Sequence, residues 1–230
     1  MVDTVGMGYT ERRKLNVEIV EERLSYREGF KKMIESVKRP FSEMEELVRR
    51  DVTLDPGFKE FYAFAKANNI PVIIVSSGMT PIIRSILSNL IGEKDANEID
   101  VISNEVNFTD ADKKGETWEL VYRHPDNHFG HDKSLSIAPY RELKNRPTLF
   151  FAGDGISDMS AARHADVLFV KDKQDNDLAT YCRTNSIPFH LFRDWTIPKK
   201  MLEQIIAGDL KLDDVVGKSS NNGDFKPASA

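Results

Sequence analysis

The chain has 230 residues, 40% of them hydrophobic and 30% charged, with a formal net charge of −5. That length fits one domain, or one core with a small insertion, and the composition fills a core beneath a well-solvated surface. The acidic balance shows no basic stripe for a nucleic-acid partner, no apolar run reaches membrane-spanning length, and the lone Cys182 leaves no internal disulfide and fits a reducing compartment, the cytoplasm.

Residues 1–8 are short and punctuated by Gly6 and Gly8. From Thr10 to Val37 the apolar residues Leu15, Ile19, Leu24, Phe30, Met33, Ile34 and Val37 recur at helical spacing. Pro40 breaks that pattern, and Ser42 is expected to cap a short helix carrying Met44 and Leu47. Residues 9–52 therefore read as a small all-helical unit. Asp55-Pro56-Gly57 is a turn before a helix with Phe58, Phe61, Phe64 and Ala65 on one face. Pro71–Val75 is a β-branched run, too short for a helix, that fits a strand buried on both faces. It ends at Ser76-Ser77-Gly78, and Thr80–Ile91 returns as a helix.

Asp100–Ser103 reads as a weaker strand, and residues 105–123 as a β-hairpin insertion around a polar turn at Asp110–Gly115. A loop with His124, Pro125, His128 and His131 leads into a helix from Asp132 to about Leu143. Thr148–Ala152 is a strand, Asp158–His164 its helix, Asp166–Val170 a strand, Leu178–Asn185 a helix, Ile187–Phe189 a short strand, and Trp195–Ala207 an amphipathic closing helix. The tail 217–230 is polar and Ser/Asn/Gly/Pro-rich, a composition that favours disorder. Strands alternating with helices predict an α/β core with a Rossmann-like, doubly wound parallel sheet over about residues 53–207.

Polar groups collect at the ends of these strands. Gly153-Asp154-Gly155 is a tight turn out of a strand, where open α/β sheets place ligands. Its glycines let backbone approach an ion or a phosphate. Asp158 lies one turn further and points back to the same mouth. Two hard oxygen ligands suit Mg²⁺; a plain strand-to-helix turn with Asp as cap accounts for the same residues. Ser76 follows one strand and Lys133 opens a helix. A hydroxyl, an ammonium and a carboxylate pair suit a phosphoryl group: the hydroxyl and nearby N–H groups bind its oxygens, and the cations offset its charge. Taken singly, Ser76 could be a helix cap and Lys133 a surface lysine.

The ordered set Ser76, Lys133 and Gly-Asp-Gly-x-x-Asp resembles the haloacid-dehalogenase (HAD) superfamily of Mg²⁺-dependent aspartyl phosphatases, and within it the phosphoserine-phosphatase-like branch with a helical cap and its fungal relatives. Val72–Gly78, His131-Asp132-Lys133 and Gly153–Asp158 match its second, third and fourth motifs. The resemblance spans about residues 5–207. It implies an HAD-like core and phosphomonoester hydrolysis of a small phosphorylated metabolite. Ser76, Ser77, Gly78 and Lys133 would bind the transferring phosphate. Asp154 would ligate Mg²⁺, and Asp158 would hold the metal shell. Residues 9–52 would be the cap. There Ser25-Tyr26-Arg27-Glu28 resembles the segment whose Arg grips a substrate carboxylate, so Arg27 is a candidate substrate contact; an Arg solvating a helix face reads the same.

One motif of that family does not appear. Its members open with a hydrophobic strand ending Asp-x-Asp-x-Thr, whose first Asp is the nucleophile and whose second is the general acid/base. Asp3-Thr4 has only two residues before it, Asp110-Ala111-Asp112 falls in the hairpin turn, and Asp175-Asn176-Asp177 comes after the fourth motif with Ala179 in place of Thr. The missing strand is central in the family fold, between the strands carrying Ser76 and Asp154, so two strand edges would be left open. The expectation is a chain with little or no turnover, as a truncated gene model or splice form, or alternatively a non-catalytic phosphate- or partner-binding protein. A nucleotide-binding module lacks its G-x-G-x-x-G. A zinc site among the three loop histidines lacks a nearby Cys.

Overall fold

The computed structural model describes residues 1–224. In chain order its elements are α1 (Val2–Val5), α2 (Gly8–Val20), α3 (Tyr26–Glu35), α4 (Phe41–Asp51), α5 (Phe58–Ala67), β1 (Ile73–Met79), α6 (Thr80–Ile91), α7 (Glu93–Glu98), β2 (Asp100–Phe108), β3 (Trp118–Val121), α8 (Lys133–Arg141), β4 (Phe150–Gly153), α9 (Met159–Ala162, after a 3₁₀ turn at Ile156–Asp158), β5 (Val167–Lys171), α10 (Asp177–Thr184), β6 (His190–Phe192) and α11 (Thr196–Ala207). They fall into two compact units: 1–53 with 73–132, and 54–72 with the residues from 133 onward.

The first unit joins the helical segment to a sheet of order β1-β2-β3. The run read as helical from Thr10 to Val37 is divided between two helices, α2 and α3. Ser25 stops the first from continuing: its hydroxyl accepts the Glu28 N–H at 3.1 Å, and the Glu28 carboxylate accepts the Ser25 N–H at 3.3 Å, a reciprocal cap that starts α3 afresh. Val37, Phe41, Met44 and Val48 pack against Met79 and Ile82. Phe41 stands edge-on to Phe108 and Trp118, with ring centroids 5.3 and 5.4 Å away. β1 runs parallel to β2, and β2 continues into an antiparallel hairpin with β3, pairing Glu105–Phe108 with Trp118–Val121. The polar turn closes on Asp110, whose carboxylate accepts the N–H groups of Lys114 and Gly115 at 2.5 and 3.0 Å. The weak strand and the hairpin expected separately thus share one nine-residue strand, β2.

The second unit is a parallel sheet of order β4-β5-β6. Central β5 shows why this half is doubly wound. Its alternate residues serve two cores: Leu168 and Val170 face Leu178, Ala179 and Cys182 of α10, while Val167 and Phe169 face Ile197 and Met201 of α11. A strand covered on both faces carries no polar alternation, hence its continuous apolar run. α5 packs on α11 through Phe58 and Phe61, whose rings lie 5.2 and 4.6 Å from that of Trp195.

β6 begins three residues later than the expected Ile187–Phe189. The Ile187 N–H is taken by the Cys182 carbonyl at 2.9 Å, which closes the end of α10, and Pro188 has no N–H to give. The tail also departs from expectation within the described residues. Ser220 forms a bridge to His190, and its carbonyl accepts the Leu191 N–H at 2.9 Å. Asn222 donates to the Leu191 carbonyl at 3.0 Å and to Asp172 at 2.7 Å. Residues 225–230, the rest of the expected disordered tail, lie outside the described residues.

β1 and β4 are each an edge strand of their sheet. β4 is half-exposed at all four residues, whereas β5 is buried at four of its five. Ile73, Ile74 and Val75, read from sequence as buried on both faces, are likewise only half-buried. Each of the two strands thus has one neighbour in its own sheet.

Candidate functional site

In the second unit the turn after β4 is built around one carboxylate. Asp158 Oδ2 accepts the N–H groups of Asp154 and Gly155 at 2.9 and 3.0 Å. Its other oxygen accepts from the Lys133 ammonium at 2.7 Å, with both side chains more than nine-tenths buried. The Lys133 backbone N–H is held by the Ser160 hydroxyl at 3.1 Å. Gly153 is needed for this approach, since a Cβ there would stand 2.6 Å from Asp158 Cγ. Lys133 is therefore no solvated surface lysine. It is an ammonium group anchored at the first turn of α8 by a rigid acceptor.

Asp154 differs. Its side chain is 59% exposed and faces one cation, Lys173, at 2.5 Å. Lys173 follows β5 as Asp154 follows β4, both at the C-terminal mouth of a parallel sheet. Sequence reasoning missed Lys173, although its place just after a strand was a usable signal.

In the first unit, β1 ends in a bulge. Val75 pairs with Ile102 and Met79 with Asn104, so Ser76, Ser77 and Gly78 together stand opposite Ser103 alone. The Ser76 hydroxyl accepts the Gly78 N–H at 3.1 Å. The Ser77 hydroxyl is buried and has no hydrogen-bond partner. His131, fully buried, bonds the Ser76 carbonyl through Nδ1 at 2.7 Å, and Asn104, also fully buried, donates to the Ser77 carbonyl at 2.8 Å. A carbonyl only accepts, so His131 Nδ1 carries the proton. Asn104 gives no signal in sequence beyond being polar within a strand.

Arg27 sits at the start of α3 in the same unit. Its guanidinium donates to the Pro125 carbonyl, its N–H to the His128 carbonyl at 2.9 Å, and its carbonyl accepts the Tyr122 hydroxyl at 2.6 Å. Within the loop, His124 Nδ1 accepts the Asp132 N–H at 3.1 Å, and partial burial holds the His124 ring below the usual histidine range. Asn176, in the second acidic run, caps α10 by accepting the Ala179 N–H at 2.9 Å. The structure thus brings Lys133, Asp154 and Asp158 together in one unit, and Ser76–Gly78 and Arg27 in the other.

The residues present do not make a complete magnesium site. Mg²⁺ demands six oxygen ligands in near-octahedral array. The second Asp expected in the metal shell, Asp158, is spent on Lys133 and two backbone N–H groups. Among the described residues no group of three or more His, Cys, Asp or Glu side chains is placed to hold a metal. Asp154 alone offers an exposed carboxylate at this turn.

A mixed α/β fold with a helical cap, a Gly-Asp-Gly turn and a buried lysine defines the class, and comparison with known proteins narrows it. The sequence profile of the haloacid dehalogenase-like hydrolases matches residues 6–163. The chain belongs to that family. It is 38% identical over 217 residues to the polyol phosphate phosphatase PYP1 of Saccharomyces cerevisiae, covering 91% of this chain and 87% of that one. It is 39% identical over 207 residues to Pdp3-interacting factor 1 of Schizosaccharomyces pombe, covering 89% and 87%. A phosphoserine phosphohydrolase-like protein from Francisella tularensis shares the fold, with a TM-score of 0.58 at 14% identity over 86% of this chain and 84% of that one.

Proposed function

We propose that this chain recognises the phosphate of a small phosphorylated metabolite, with a polyol phosphate as the first candidate, and that it turns it over little or not at all. The observation that carries the reading is the buried Lys133–Asp158 pair locked to the Gly153–Gly155 turn. Burying an ammonium group is unfavourable unless it is paired and held, and a held ammonium at a sheet mouth is suited to phosphate oxygens. In this reading Lys133 in the second unit is a phosphate contact, and so is Ser76 in the first, with Ser77 and Gly78 beside Ser76 in the β1 bulge. The unpartnered Ser77 hydroxyl supports that role, because a buried hydroxyl without a partner gains from a ligand oxygen. Arg27, with one guanidinium donor given to Pro125, is the substrate contact from the helical segment of residues 9–52, which serves as the cap.

Low turnover follows from the residues available. Covalent phosphoryl transfer needs a nucleophile with a positioned acid/base partner. Of the acidic pairs in the sequence, Asp110 closes a hairpin turn and Asn176 caps a helix. The polyol preference rests on the 38% identity to PYP1. Asp154 is the single carboxylate through which a divalent cation would be recruited. The chain has no helix among its described residues long and apolar enough to cross a membrane, and with its one buried thiol this supports a cytoplasmic protein with a small-molecule partner and no nucleic acid.

The test has two arms. Hydrolysis of p-nitrophenyl phosphate with Mg²⁺ should be at background; turnover near that of an intact family phosphatase overturns the claim of inactivity. Titration with glycerol 3-phosphate, followed by amide chemical shifts, should saturate and weaken in Ser76→Ala and Lys133→Ala. A flat titration of the folded chain overturns the claim of recognition.

A further inference from the structure

We infer that His131 and Asn104 are positioning residues that aim the backbone N–H groups of the β1 bulge at a bound phosphate. The inference rests on the reading of Ser76–Gly78 as phosphate contacts and adds two residues to it. Its starting point is the bulge. Three residues opposite one lose the ordinary parallel ladder, so their carbonyls need donor partners from elsewhere. They find them in two fully buried side chains. His131 Nδ1 holds the Ser76 carbonyl at 2.7 Å, and Asn104 Nδ2 holds the Ser77 carbonyl at 2.8 Å.

Holding a carbonyl fixes more than the carbonyl. In a trans peptide the C=O and the following N–H point in opposite directions within one plane. The His131 bond therefore turns the Ser77 N–H away from His131, and the Asn104 bond turns the Gly78 N–H away from Asn104. The Ser76 hydroxyl accepts that Gly78 N–H at 3.1 Å, which orders the bulge between its two fastened carbonyls. Donors fixed before an anion arrives need no reorganisation when it binds, which makes such donors effective.

Asn104 is itself braced. Its Oδ1 accepts the Arg123 N–H at 2.9 Å, and its carbonyl accepts the Thr80 hydroxyl at 3.1 Å. Both of its amide groups are thus spent between β1 and the chain just after β3. An Asn whose donor and acceptor are both used is locked in one orientation, and so is the carbonyl it holds. A merely structural polar pair would need only to satisfy itself. These two instead fasten two successive carbonyls of the one segment read as the phosphate contact.

The experiment compares inorganic phosphate binding with thermal stability, using the wild type, His131→Ala, His131→Gln, Asn104→Ala and, as a control outside the bulge, Arg49→Ala. Arg49 bonds the Ser85 hydroxyl at 2.6 Å in the same unit, so its removal tests destabilisation without aim. His131→Ala and Asn104→Ala should bind about tenfold more weakly, as loss of one aimed bond to a charged group predicts. His131→Gln, which keeps a donor, should recover most of the affinity, and Arg49→Ala should leave it unchanged. In the wild type, phosphate should shift the Ser77 and Gly78 amide resonances; this measurement needs no variant to fold. Equal affinity in all variants, or binding that leaves those two amides unmoved, overturns the inference. A wild type that binds no phosphate overturns the underlying reading instead.

Discussion

Replacing Lys133 with Met should destabilise the second unit by about 3 kcal/mol. The figure follows from what the substitution leaves behind. Lys133 and Asp158 are 8% and 7% exposed at their side chains and meet at 2.7 Å. Removing one partner of a buried pair costs about 3–5 kcal/mol, because the remaining charge stays out of water. Here the lower end applies, since Asp158 keeps two N–H donors at 2.9 and 3.0 Å. For a chain of this length about 3 kcal/mol lowers Tm by about 6–12 °C. Asp158→Asn should be comparably destabilising, for it strips the ammonium of its countercharge. The double variant Lys133→Met, Asp158→Asn should be less destabilised than the sum of the singles, with a coupling of about 2 kcal/mol. Urea denaturation of the four proteins, completed as a double-mutant cycle, measures that coupling. Singles that add to within about 0.5 kcal/mol, or a Lys133→Met protein as stable as wild type, would show that the pair is not the buried, mutually dependent feature described above.

Gly153→Ala places a methyl 2.6 Å from Asp158 Cγ, a carboxylate that cannot retreat without giving up its bonds; the expected loss is about 1–3 kcal/mol by thermal denaturation. Cys182 is fully buried and its thiol is pushed up to about 11, so Ellman's reagent should label the native protein very slowly and one equivalent of thiol in urea. His190 is buried, with its ring bonded to the Val215 carbonyl and the Ser220 hydroxyl at 3.0 and 2.7 Å, and burial lowers its pKa from 6.5. The unfolded chain therefore takes up a proton at a pH where the native ring stays neutral. The contribution of His190 is present above about pH 6.5 and is lost as pH falls towards its lowered native pKa, at up to about 1.4 kcal/mol per pH unit. His190→Asn should be less stable at pH 7.5 but show a shallower decline between pH 7.5 and 5.5; an unchanged slope would remove His190 as a source.

Much of the second unit can be read from its sequence because its strands sit where their composition implies. Val167–Val170 is apolar at consecutive positions and lies in the central strand, covered on both faces. Pro71–Val75 has the same composition, yet Ile73–Val75 lie half-exposed at an edge. Burial depends on what neighbours a strand, which residue type does not encode. The break between α2 and α3 was written plainly in Ser25 and Glu28 as a capping box, but the helical period on either side masked it. Lys133, Asp154 and Asp158, which the second unit brings together at one turn, were visible as candidates through their order and spacing. Lys173, His131 and Asn104 act through contacts with residues 19, 55 and 27 positions away, and no local pattern announces such pairings.

The charges around the Gly153–Gly155 turn are compensated in pairs. Lys133 is balanced by Asp158, and Lys173 by Asp154. Neither ammonium is left as a net positive charge awaiting an anion. The Asp158 pair is buried, with both side chains more than nine-tenths out of water. The Asp154 pair is exposed, and pairs of that kind are worth about 0–1 kcal/mol, so Lys173 is easily withdrawn. In the first unit, His131 and Asn104 hold the carbonyls of Ser76 and Ser77 in the β1 bulge. If phosphate binds at that bulge, as proposed above, its affinity should depend weakly on ionic strength, because the donors there are neutral and screening acts on uncompensated charge.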